Sequence, residues 1–144
     1  MQFFTPTIIL IATVSGFVFG ALWYSPLLFM KAWLMGEGIT KNERPKRSKL
    51  YLAQINLYSF IAHGAIASVL ALIFDLLQIA SLKVAVSLGV LLALGLIVTT
   101  HYIDMLYTVD GVHWNRKSQI KFLVNSGYYI CVVGIISSVL FLLS

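Results

Sequence analysis

His63, His101 and Asp104 are ionisable side chains lying inside otherwise apolar stretches of this 144-residue chain, and they bound the chemistry it could do. His101 and Asp104 are three residues apart, so on a helix they share a face. Asp104 could orient the imidazole of His101 for proton handling, or the pair could join His63 around a metal ion. A third outcome is a hydrogen-bonded network tying helices together, a common use of polar groups buried in membranes. Metal spacing is not established: there is no H-E-x-x-H, and the chain has one cysteine and three histidines. No metal, cofactor or catalytic residue is assigned from these residues. The remaining candidates for a polar site are Trp23, Tyr24 and Ser25 just before Pro26, Thr100 beside His101, and Asn125, Tyr128 and Tyr129.

These side chains need elements to carry them, and the composition says which. Hydrophobic residues make up 60% of the chain and charged ones 10%, far from a soluble balance. The fold class is therefore all-α: a polytopic membrane protein whose residues 1–144 form one four-helix transmembrane domain. Four spans are expected, at about 7–30, 55–77, 83–104 and 116–143. In the first, Gly16 and Gly20 stand in a G-x-x-x-G relation that permits close helix approach, within the chain or between copies. Pro26 should kink its last turns. Thr40 and Glu43 match a capping box, although the helix could instead begin at Pro45. Asp110-Gly111 reads as a turn and Asn115 as the cap of the fourth helix. The lone Cys131 lies in an apolar run and excludes an intrachain disulfide.

Basic residues set an orientation. Lys31, Lys41, Arg44, Lys46, Arg47 and Lys49 fall in the first connection, Arg116, Lys117 and Lys121 beside the third, and Lys83 alone on the other face. That bias puts the first and third connections in the cytoplasm and both termini outside. With this threading Trp23 to Ser25, Asn56, Tyr58 and His63, Thr99 to Asp104, and Asn125 to Tyr129 all lie toward the cytoplasmic side. The outer halves are nearly featureless, apart from Asp75 in headgroup water. The run Arg44, Lys46, Arg47 and Lys49 should meet anionic headgroups. The net charge of +5 belongs to the membrane surface, and no nucleic-acid partner is expected.

No nucleophile elbow, P-loop or dinucleotide fingerprint is present, and Ser25 lacks the glycine frame of a serine hydrolase. The segments GALWYSPLLFMKAW (Gly20 to Trp33), Thr99-Thr100 and KFLVNSGYY (Lys121 to Tyr129) resemble an uncharacterised bacterial family of small four-span membrane proteins, catalogued as a domain of unknown function. Its members share a G-x-L-W-Y-S-P-x-x-F-x-x-x-W signature and an N-x-G-Y segment in the last helix. The resemblance covers nearly the whole chain and implies four spans in a bacterial inner membrane. It implies no activity and no role for His101 or Asp104. Three functions are open: a homo-oligomeric transport or permeation protein with a polar site near the cytoplasmic side, an accessory or structural subunit bound to a partner membrane protein, and a small His/Asp-dependent membrane enzyme. The first two are expected above the third. The sequence also places Trp23 to Pro26 against Asn125 to Tyr129, and expects His63, His101 and Asp104 to converge.

Overall fold

A computed structural model describes residues 4–40, 47–107 and 115–144. Arg44, Lys46, the Glu43 half of the capping box and the Asp110-Gly111 turn lie outside the described residues. Every described element is helical, and four helical spans are long and apolar enough to cross a membrane.

Helix α1, Pro6–Trp23, starts where Thr5 accepts from the Ile8 amide and Pro6 supplies a preset φ. Pro26 ends this helix instead of kinking it. Lacking an N–H, Pro26 leaves the Leu22 carbonyl without its helical donor, and the Ser25 hydroxyl donates to that oxygen at 2.6 Å. The same hydroxyl accepts from the Leu27 amide at 3.2 Å. The chain turns, is latched by the Phe29 amide on the Trp23 carbonyl at 2.9 Å, and re-enters a helix as α2, Met30–Glu37. Gly38 closes α2 in the left-handed region at φ 71°, where glycine carries no steric cost. The sequence expectation of one bent span at 7–30 is thus corrected to a helix, a break and a second short helix.

Helix α3, Lys49–Leu76, is capped by Ser48 and begins well before the expected residue 55. Its 28 residues measure about 42 Å, more than a hydrocarbon core of about 30 Å requires. Residues 49–58 are exposed, and the buried stripe begins at His63, continuing through Ala67, Leu70, Ala71 and Phe74 at helical spacing.

After a tight link through Gln78, α4 (Leu82–Leu92), a π-helical turn (Ala93–Val98) and α5 (Thr99–Leu106) form the third span. At the end of the π turn two threonine hydroxyls bond back to carbonyls of the preceding turn. Thr99 donates to the Gly95 carbonyl and Thr100 to that of Leu96, both at 2.6 Å. Helix α6, Arg116–Leu143, matches the expected fourth span and starts from the Asn115 cap, whose Oδ1 accepts from the Ser118 amide at 2.9 Å.

Helix α6 is the spine. Helices α1, α2 and α4 pack chiefly on it, while α3 packs chiefly on α1. Its buried residues accordingly occupy two sides, Val124, Tyr128, Val132, Ile136 and Leu140 on one and Ser126, Val133 and Ser137 on the other. Small residues set the approach distances. A Cβ on Gly20 would meet the Tyr128 hydroxyl at 2.8 Å, and one on Gly36 would meet the Lys121 backbone at 2.9 Å. The Gly16/Gly20 pair is therefore spent on packing inside the chain, Gly16 against Ile136 and His63.

Candidate functional site

The break after α1 turns Trp23 and Tyr24 toward α6. Trp23 donates its indole N–H to the Val124 carbonyl at 3.2 Å, and Tyr24 donates its hydroxyl to Asn125 Oδ1 at 3.0 Å. The expected contact between the Trp23 and Asn125 segments is present. Tyr24 also lies 5.2 Å from the Tyr128 ring and 6.2 Å from the Trp33 ring. Ser25 does not join this cluster, because its hydroxyl serves the backbone break.

Deeper in the bundle, His63 is buried with both ring nitrogens partnered. Nδ1 lies 2.6 Å from the Ser59 carbonyl and Nε2 lies 2.6 Å from the Tyr128 hydroxyl. A carbonyl can only accept, so Nδ1 carries the hydrogen, and in the neutral ring Nε2 accepts from the Tyr128 O–H. The Phe17 ring stands edge-on to the imidazole at 6.2 Å. His63 sits halfway along α3, at the level of Gly16, so the sequence expectation of a site confined to one end needs correction here.

His101 is held elsewhere. It packs edge-on against Tyr129 at 5.1 Å, and its Nδ1 is buried without a hydrogen-bond partner. Tyr129 in turn meets Tyr128 at 4.9 Å, so the two histidines flank a tyrosine pair and do not touch. The expected convergence of His63, His101 and Asp104 does not occur, and no group of three candidate metal ligands is found among the described residues. Thr100 donates to the Leu96 carbonyl of its own helix and is exposed.

His101 and Asp104 do share a cavity. About 540 Å³ in volume, it lies between the end of α2, helix α5 and the first turns of α6. Gly36 and Glu37 border it from α2, His101, Asp104 and Met105 from α5, and Asn115, Lys117, Ser118, Lys121, Phe122 and Asn125 from the start of α6. Glu37 and Lys121 form an ion pair at 3.0 Å. Asn125 belongs to both regions, lining the cavity and holding Tyr24, which connects the cavity to the aromatic cluster above His63. The sequence reading missed Glu37, Lys117 and Lys121 as site residues. Their signal was i, i+4 spacing of lysines opposite a lone glutamate, which by itself describes any solvated helix face.

A family model described as Protein of unknown function (DUF1761) matches residues 7–141. No curated protein and no solved structure matches the chain.

Proposed function

The chain belongs to the DUF1761 family of proteins of unknown function, and on that premise we propose that this multi-pass membrane protein admits a small polar solute at its basic end, as a transport or permeation protein working as a homo-oligomer. The observation that carries this reading is the cavity. Its volume is that of a small-molecule site, and it is rich in polar and charged side chains in a protein whose surface is otherwise largely apolar. Four short spans rarely enclose a pathway alone, so in this reading an axis between copies completes the polar route. In this reading the end faces the cytoplasm and both termini lie outside, as the basic bias supports, and the membrane is a bacterial inner membrane, as the family resemblance implies. Arg47 and Lys49 would meet anionic headgroups there, and Arg47 is steadied 5.0 Å over the Tyr51 ring.

A second reading has its own support: Trp23, Tyr24, His63 and Tyr128 are all spent on joining helices, as an accessory subunit bound to a partner membrane protein would require. Osmotic swelling of proteoliposomes separates the two. Swelling in glycerol, urea or glycine should exceed that of empty vesicles, and Asn125→Leu should reduce it. If every solute enters at the rate of protein-free vesicles, the transport reading fails and the accessory reading stands.

A further inference from the structure

We propose that the cavity at the basic end binds a zwitterion, a molecule that carries an ammonium group and a phosphate or carboxylate a few bonds apart. This rests on the reading of that cavity as a solute site and names the class of solute. The charges left over on its walls are the reason. Glu37 and Lys121 neutralise each other at 3.0 Å. That leaves Asp104 on the α5 wall, whose carboxylate has no ion-pair or hydrogen-bond partner among the described residues, and Lys117 on the α6 wall, whose ammonium has no carboxylate partner among them. Lys117 Nζ instead lies over Gly38 at the end of α2, where a Cβ would come within 3.0 Å of it. The two opposite charges thus line one cavity without meeting each other.

A ligand of single charge satisfies one of them and is repelled by the other. A zwitterion satisfies both, with its cation at Asp104 and its anion at Lys117. The anion would also lie at the N-terminus of α6, whose cap Asn115 lines the same cavity and whose dipole favours negative charge. Met105 and Phe122 give the cavity apolar surface for the short carbon linker between the charges. The cavity lies where spanning helices emerge, so a phosphoethanolamine headgroup and a free zwitterion present the same chemistry to it.

Phosphoethanolamine is the probe, titrated calorimetrically into the full chain in phosphatidylglycerol nanodiscs. We expect it to bind, with inorganic phosphate and ethanolamine each weaker by about tenfold or more, the ratio one charge-assisted hydrogen bond can supply. Asp104→Asn should abolish the advantage of phosphoethanolamine over phosphate, with phosphate itself bound more tightly once Asp104 no longer repels it, and Lys117→Gln should likewise abolish the advantage over ethanolamine. Both side chains are exposed, and an unchanged melting temperature confirms that the variants fold. Repeating the titration in phosphatidylethanolamine nanodiscs identifies the source. Weakened binding there means that the headgroup occupies the site, and unchanged binding means that a soluble zwitterion does. Absent binding in phosphatidylglycerol, binding no tighter than phosphate, or full affinity in both variants would overturn the proposal. Binding without solute flux would leave it standing and remove the transport reading.

Discussion

Tyr128 concentrates more of the interior than any other side chain. Its hydroxyl partners His63, its ring meets Trp23, Tyr24 and Tyr129, and Gly20 has no side chain so that it fits. Tyr128→Phe removes one oxygen and leaves His63 Nε2 without a donor. We expect a loss of about 0.6–1.7 kcal/mol in unfolding measurements, the range seen for hydrogen bonds between membrane helices. In ¹⁵N-resolved spectra of the parent protein, the neutral His63 should show the Nδ1–H tautomer, and the opposite tautomer would contradict the Ser59 contact. The sequence marked His63 and Tyr128 as polar groups needing partners, because polar residues in apolar runs stand out locally. It could not pair them, since 65 residues separate the two and only the rotation of α3 against α6 decides which groups meet.

Among the elements, the span count was legible because hydropathy is a property of each stretch by itself. The break at residues 24–29 was not, since a proline in a membrane helix either bends or ends it depending on what receives the freed carbonyl. Here Ser25 receives it, and α2 leaves along α6. The π turn was equally hidden: one residue of extra winding leaves no mark in composition, yet it sets the face on which His101 and Asp104 lie. Glycines around that turn give a matched test. A methyl on Gly89 would run into Ser137, whereas one on Gly95 would meet nothing within 4 Å. We expect Gly89→Ala to cost about 1–3 kcal/mol by overpacking. Gly95→Ala should be neutral or stabilising by up to about 1 kcal/mol from helix propensity. Equal melting temperatures for the two variants would contradict the packing of α4 on α6.

For the molecule as a whole, orientation is the quantity read from charge alone. Single cysteines introduced at Lys49 and Ser144, in a Cys131→Ala background, should label from opposite sides of sealed vesicles. An impermeant reagent added outside cells should reach Ser144→Cys only. Labelling of Lys49→Cys from outside would invert the bundle and put the cavity on the other face. The architecture around α6 also sets an order of events during synthesis. The helix on which α1, α2 and α4 depend is made after all of them. At about 5–20 residues per second, the chain from Trp23 to Leu143 takes roughly 6–24 s to emerge, and α1 waits that long in the bilayer without its main neighbour. A ribosome stalled before Arg116 would therefore hold a protein with its spans inserted but its interior unbuilt. Chains cut at residue 115 should be cleared by membrane proteases far faster than the whole protein. If pulse-chase half-lives are equal, the early spans have found another way to satisfy themselves while they wait.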